Sequence, residues 1–299
     1  MMPSPALTGE RVEFDSPAGR LSMYVAGAGP PLLLIHSVNA VATAAEVRPL
    51  HDHYRSTRTV YSLDLPGFGF SERSDRVYSP RLMTDAIKAA AGRILERGGA
   101  AAIDALALSL SAEFLARAAA EIPHWFRSLA LVSPTGFRGT KPRRAPPGTT
   151  RAVPGLLRIL RGPRNAWGAA LFRGLTRPKV IRYFLRRTWG STRIDDVLWH
   201  YDIETAKVPG AQFAPLYFLS GALFSADILD VYERLSMPVW MCHGVRGDFT
   251  DYRLTSLLTG RTNWRFSVFQ TGALPHFEVL PEFCRDYAGL LDGAEHLLQ

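Results

Sequence analysis

The sequence is short of cysteine, of long apolar runs and, over one extended span, of acidic residues. Each shortage narrows what the chain can be. Two cysteines, Cys242 and Cys284, in 299 residues are too few for a disulfide framework. Cys242 lies inside an apolar stretch, where a free thiol serves as buried filler. No apolar run reaches the roughly 20 residues needed to cross a bilayer. The opening MMPSPALTGERVEF has no basic segment followed by an apolar run, so no secretory signal is expected. These features together predict a reduced, cytoplasmic setting. No internal repeat and no low-complexity tract is present.

What is there is enough to build a large core. Hydrophobic residues make up 47% of the chain, which places it among folded α/β or paired-domain proteins rather than disordered ones. The net charge of +8 is unevenly spread. Of the 35 Lys and Arg residues, fifteen fall between Arg138 and Ile194, a span without Asp or Glu. The remaining 20 face 27 acidic residues, so a cationic segment sits in a mildly acidic chain.

Taken in order, Arg11–Asp15 and Arg20–Ala26 read as short strands around a Ser16-Pro17-Ala18-Gly19 turn. Leu32–Ile35 is a continuous apolar run, as expected of a strand buried on both faces, and it exits through His36-Ser37-Val38-Asn39. A helical stretch over Val41–Tyr54 is expected to bend or break at Pro49. Thr59–Leu65 is the next strand, closed by Asp64-Leu65-Pro66-Gly67-Phe68-Gly69-Phe70-Ser71. An Ala-rich helix follows from Pro80 to about Arg97, and the strand Ser128–Ser133 comes later. Val231–Leu235 predicts a returning helix, Pro238–Gly244 and Trp264–Gln270 two more strands, and Pro281–Leu298 a closing amphipathic helix. Strands alternating with helices of this length predict a mostly parallel central sheet with helices on both faces.

Within that alternation one stretch changes period without a Gly or Pro loop. Ala102–Leu108 is apolar except for Asp104, and from Ser111 the spacing is helical, with Phe114, Leu115 and Ala118 on one face. Ser109 sits at the junction, in Ala107-Leu108-Ser109-Leu110-Ser111. A serine there is either a nucleophile held on a sharp strand-to-helix turn or a helix cap. The glycines that usually flank such a nucleophile are replaced here by Ala107 and Ser111, which are also small.

Other loops bear on the choice. His243-Gly244-Val245-Arg246-Gly247-Asp248 follows one late strand, and Gly272-Ala273-Leu274-Pro275-His276-Phe277 follows the last. With the strand ending in His36, the Asp64–Gly69 loop with Ser71 and the junction at Ser109, this order resembles the α/β-hydrolase superfamily, in its serine esterase and lipase-like branch with a helical cap. The resemblance implies a triad of Ser109, Asp248 and His276, with Asp251 as reserve acid. Serine needs a base to become a nucleophile near neutral pH, and histidine held by a carboxylate supplies it. The resemblance also implies an oxyanion hole from the backbone N–H groups of Val38 and Leu110. Ser37 stands where the family has glycine; it could add a hydroxyl or narrow the site, and Asn39 could donate from its side chain. His36 and Asp64 are expected to be structural. A serine at the junction argues against the dehalogenase and epoxide-hydrolase relatives, which carry Asp there.

The resemblance divides the chain into a first core part over 1–137, a basic helical cap over 138–225 and a second core part over 226–299. In Lys179–Arg187 (KVIRYFLRR), Val180, Ile181, Phe184 and Leu185 fall on one side of a helix and Lys179, Arg182 and Arg186 on the other. Like charges four apart cost about 0.2–0.5 kcal/mol per pair, so something offsets them. One reading docks the basic face on the acidic core. The other, with Trp167, Phe172 and Trp189 alongside, places it on an anionic membrane surface. Ser37, Asn39, Phe184 and Phe218 are the expected substrate contacts.

The function that follows is cofactor-free hydrolysis, with no metal, of a small-molecule carboxylic ester with an apolar acyl or alcohol part, through an acyl-enzyme. No nucleic-acid partner is expected, because no recognised binding motif appears. Carbon–carbon bond hydrolysis or perhydrolysis on the same scaffold, and a non-catalytic ligand- or membrane-binding role, are the competing readings.

Overall fold

Period-two alternation in the inner strands feeds two cores at once. In β3 (Pro31–Ile35), Leu33 and Ile35 enter one apolar cluster while Leu32 and Leu34 enter another. In β5 (Ile103–Leu108), every position is buried, with Ala105 and Ala107 on the first side and Leu106 and Leu108 on the second. The computed structural model describes residues 3–162 and 166–295. Arg164 and residues 296–299, which carry part of the expected basic span and the end of the closing helix, lie outside the described residues.

The sheet has eight strands in the order β1-β2-β4-β3-β5-β6-β7-β8. β1 (Glu10–Ser16) and β2 (Gly19–Ala26) form the antiparallel hairpin, and β2 also pairs antiparallel with β4 (Thr59–Asp64). β4, β3, β5, β6 (Phe126–Val132), β7 (Val239–Gly244) and β8 (Trp264–Phe269) are parallel to their neighbours. The edge strand β1 is exposed and carries Glu10, Arg11 and Glu13, charges that discourage pairing with another chain.

Helices cover both faces. On the first core lie α2 (Pro80–Gly98) and α3 (Ser111–Glu121), through Met83, Ile87, Ile94, Phe114 and Leu115. On the second lie α1 (Arg48–Tyr54) and α11 (Leu280–Glu295), through Leu50, Tyr54, Phe283 and Tyr287. Ser79 caps α2 by accepting from the Leu82 amide at 3.2 Å, and Gly99 ends it at φ 61°. Pro49 does not interrupt a helix as expected. A short 3-10 turn, Ala44–Val47, precedes α1, and Pro49 lies in the first turn of α1, where its missing N–H costs nothing.

Between β6 and β7 the chain forms α4 (Pro154–Leu160), α5 (Ala166–Leu175), α6 (Pro178–Trp189), α7 (Asp196–Thr205), α8 (Phe213–Leu219) and α9 (Ile228–Glu233). The outgoing and returning passages meet at an antiparallel bridge, Thr150 with Ser225, flanked by Arg151 N–H to Phe224 O at 2.9 Å and Ala226 N–H to Thr149 O at 2.9 Å. The insertion shares the sheet's cores: Ala214, Tyr217 and Leu223 join the first, and Trp189 and Leu198 the second. Several of its cations reach acidic residues elsewhere: Arg144 pairs with Asp230 and Glu233, Arg161 with Asp75, and Arg187 with Asp248. Among the described residues, no helix is long and apolar enough to cross a membrane.

Strand order fixes where a ligand can sit. From β3 the chain steps outward to β4, then crosses back to place β5 on the other side of β3. The loops leaving β3 and β5 therefore part in opposite directions, and an open α/β sheet binds ligands in the crevice at such a switch point.

Candidate active site

Ser109 occupies that crevice. Its backbone lies at φ 52°, in the left-handed region that non-glycine residues seldom adopt. Its amide donates to Val132 O at 2.8 Å, so the sheet holds the residue in place on one side while α3 begins on the other. Ala107 and Ser111, both fully buried, are small enough to let strand and helix close around it. Neither serine caps the helix: the N-cap of α3 is Leu110, with no side-chain cap bond, and Ser111 Oγ is buried without a partner. The junction is thus a strained turn, not a capping site.

Ser109 borders a cavity of about 140 Å³. Its walls come from the β3 exit (Ser37, Val38, Asn39), from Glu46, from Leu110, from Ser133 and Thr135 after β6, and from Ala273 and Leu274 after β8. The insertion closes it with Leu185 and Thr188 of α6 and with Phe218 and Phe224, whose rings lie 5.4 Å apart. The amides of Val38 and Leu110 both belong to residues on this wall, and among the described residues neither donates a hydrogen bond.

Glu46, which the sequence reading passed over, is the ionisable side chain on the cavity wall. Its carboxylate accepts from the Ser37 amide at 2.7 Å, from Ser37 Oγ at 3.0 Å and from Asn39 Nδ2 at 2.8 Å. Ser37 therefore spends both donors on Glu46, while Asn39 Nδ2 also donates to Ser37 Oγ at 3.1 Å and Asn39 Oδ1 accepts from the Val41 amide at 2.7 Å. Burial pushes the Glu46 pKa up, against these hydrogen bonds. Asp202, on α7, is buried within electrostatic reach, with Oδ1 lacking a partner, and its pKa is pushed well up by burial and then by Glu46. Burial and the neighbouring Glu46 favour the neutral form of Asp202, whereas the three donors at Ser37 and Asn39 favour the carboxylate form of Glu46. The signal for Glu46 in the sequence was a lone carboxylate in the apolar run Val41–Val47, two turns beyond the β3 exit.

Among the described residues no hydrogen bond joins Ser109, Asp248 and His276. His276 lies in a short helix, α10 (Pro275–Glu278), and is not among the cavity-lining residues, whereas Ala273 and Leu274 are. The ring is fully buried against Phe277 and Phe283, with centroids 5.0 and 5.7 Å away. Nε2 donates to the Glu46 carbonyl at 2.8 Å, and Nδ1 has no partner. Asp248 is held outside the cavity by Arg187, whose Nη2 donates to Oδ1 at 2.8 Å. The reserve, Asp251, accepts from Arg253 and from the Gly139 amide at 3.1 Å. Of the expected substrate contacts, Ser37, Asn39 and Phe218 line the cavity. Phe184 does not; it is half exposed beside Tyr183, because one further residue of helical rotation directs Leu185 inward instead. His36 is structural as expected: it accepts from the Leu65 amide at Nε2, at 3.0 Å, and donates from Nδ1 to Ser37 O. Asp64 likewise shapes its loop, accepting from the Ala44 and Phe70 amides, each at 2.9 Å.

Burial holds the His276 pKa at about 4, against the usual 6.5. The unfolded chain therefore binds a proton at this ring between those values and the folded chain does not. Its stability contribution is complete above pH 6.5 and is lost as pH falls towards 4. The expected result for His276→Asn is loss of that slope, roughly 1.4 kcal/mol per pH unit in the window. Urea unfolding of both proteins at pH 7, 5.5 and 4.5 measures it, and parallel curves would place the ring in a more polar setting.

No protein-family model matches the sequence, and none of the curated proteins does. Solved structures match over nearly the whole chain. The 2-hydroxy-6-oxo-6-phenylhexa-2,4-dienoate hydrolase BphD from Rhodococcus sp. strain RHA1 superposes with TM-score 0.72 at 20% identity, over 95% of this chain and 100% of its own. Carboxylesterase CesB from Bacillus subtilis gives 0.71 at 14%, over 96% and 92%. A membrane phospholipase A described as a bacterial virulence factor gives 0.69 at 19%, over 96% and 86%. With the strand order, the switch-point crevice and the strained serine, these likenesses identify the architecture: the chain has the α/β-hydrolase fold.

Proposed function

We propose that the chain is a hydrolase in which Ser109 is the nucleophile, cleaving a small carboxylic ester with an apolar acyl part through an acyl-enzyme. The observation that carries this reading is Ser109 itself, strained at φ 52° on the wall of a cavity also lined by Val38 and Leu110, whose amides donate no hydrogen bond among the described residues. Strain of that kind is retained where it serves a function. The hydrolase names of the structural neighbours support the reaction class.

Glu46 takes the part the resemblance gave to histidine. As Ser109 Oγ bonds to the ester carbon, its proton passes to the Glu46 carboxylate, and the carbonyl oxygen gathers negative charge between the Val38 and Leu110 amides. The carbon–oxygen bond to the alcohol then breaks, and the alcohol takes the proton back from Glu46. Water repeats the sequence on the acyl-enzyme, freeing the acid and restoring Ser109. A raised carboxyl pKa suits a base that must release its proton again. The cavity, close to the ~150 Å³ that holds one benzene ring, limits the acyl part to a few carbons or a single ring.

A fluorophosphonate probe followed by peptide mapping tests the nucleophile. The expected result is one adduct, on Ser109, blocked by prior incubation with a short-chain ester. The opposing reading is a ligand-binding protein without turnover, favoured by the burial of His276 away from the cavity. Absence of labelling on a folded protein would establish that reading instead.

A further inference from the structure

Helices α4 and α5 expose a set of large apolar side chains that the cavity does not use. Val153 precedes α4, Leu156 and Ile159 lie on it, and Trp167 and Leu171 lie on α5, with Trp167 77% and Ile159 61% exposed. Spacings of three residues along α4 and four along α5 put each set on one helix face. The two helices pack closely, since a Cβ on Gly168 would lie 2.3 Å from the Leu160 carbonyl oxygen. Beneath them both packs α8, whose Phe218 forms part of the cavity wall.

Charge accompanies this surface. Arg158 on α4 and Arg173 on α5 are exposed, as are Arg177 and Lys179 at the start of α6. Among the described residues none of these four has an ion-pair partner. The span from Arg138 to Ile194 contains no acidic residue to neutralise them. Exposed apolar side chains flanked on the same helices by exposed cations fit one kind of occupant. A second copy of the chain would set arginine against arginine, whereas an anionic lipid surface takes the apolar side chains into its headgroup layer and the cations onto its phosphates.

The basic helix α6 has less apolar surface to offer: Ile181 and Trp189 are buried and Leu185 lies on the cavity wall, which leaves Tyr183 and Phe184 half exposed. Phe172 is buried as well, so of the three flanking aromatics only Trp167 is free to enter lipid.

We propose that α4 and α5 dock the protein on an anionic lipid surface, with Ile159, Trp167 and Leu171 inserted and Arg158, Arg173, Arg177 and Lys179 bound to lipid phosphates. Docking there sets the roof of the Ser109 cavity against the lipid.

Flotation of the full chain with vesicles of phosphatidylcholine containing roughly 30% phosphatidylserine tests this against pure phosphatidylcholine. The expected result is binding to the anionic vesicles that falls at least about tenfold on the neutral ones and disappears in high salt. Ile159→Ser with Trp167→Ser, both at exposed positions, is expected to lower binding about tenfold or more at an unchanged melting temperature. Arg158→Glu with Arg173→Glu, which leaves the apolar side chains in place, should do the same. Equal binding to both vesicle types, no binding, or full binding by either double variant overturns the proposal. So does a dimer in sedimentation velocity that the Ile159/Trp167 variant dissolves while the wild type ignores vesicles. The outcome does not depend on whether Ser109 is reactive, because flotation reads attachment alone.

Discussion

Ser109→Ala is expected to lower turnover of a short-chain p-nitrophenyl ester by roughly a thousandfold or more, with the protein still folded. The variants that set this apart from a conventional triad are Glu46→Gln, His276→Asn and Asp248→Asn. Glu46→Gln removes the proton acceptor and should cost about a hundredfold or more in kcat. It keeps one acceptor oxygen for the donors at Ser37 and Asn39, so the β3 exit loop is held. His276→Asn and Asp248→Asn should each stay within about threefold of the wild type, because the first ring lies in the second core and the second carboxylate is engaged by Arg187 outside the cavity. The wild-type rate should rise with pH through the raised Glu46 pKa, since only the carboxylate form accepts a proton. If His276→Asn abolished turnover and Glu46→Gln did not, the histidine would be the base after a movement of α10. Steady-state kinetics on the four proteins, with a melting curve for each, decides between them.

Asp104→Ala carries the largest expected effect on stability, about 3–5 kcal/mol. This carboxylate is fully buried near the start of β5 and accepts from Arg58 Nη1 at 2.7 Å, Arg127 Nε at 3.0 Å and Ser128 Oγ at 2.6 Å. Its removal takes a shared carboxylate from two largely buried guanidinium groups, and breaking a buried, hydrogen-bonded charge pair costs far more than an exposed pair is worth. Asp104→Asn, which keeps the shape and one acceptor oxygen, should recover part of the loss. Urea unfolding at pH 7 measures both, and a loss below about 1 kcal/mol would mean the pair is solvated. The site lies at the opposite end of β5 from Ser109, so labelling of Ser109 in the folded fraction should be unaffected.

The resemblance to the fold was carried by local signals. Apolar runs with breaks at fixed places give the inner strands, and the change from strand to helical period at Ser109 leaves no room for a loop, so a strained turn follows from adjacent residues alone. That Val38 and Leu110 border the cavity follows for the same reason, since each lies just past a strand exit. His36 and Asp64 could likewise be set down as structural before any coordinate was known.

What the sequence by itself determined is therefore the layering of helices on a mostly parallel sheet, the strained serine at its switch point and the backbone around it, because each depends on neighbours within a few residues. Only the tertiary structure decided which ionisable side chain shares the cavity with that serine. Whether His276 or Ala273 faces the cavity depends on where α10 begins, one helical phase that the loop's composition leaves open. Asp248 was taken by Arg187, 61 residues away in the insertion, and Glu46 was turned inward by the loop leaving β3. Long-range electrostatic pairing of this kind is set by packing, and no local period records it.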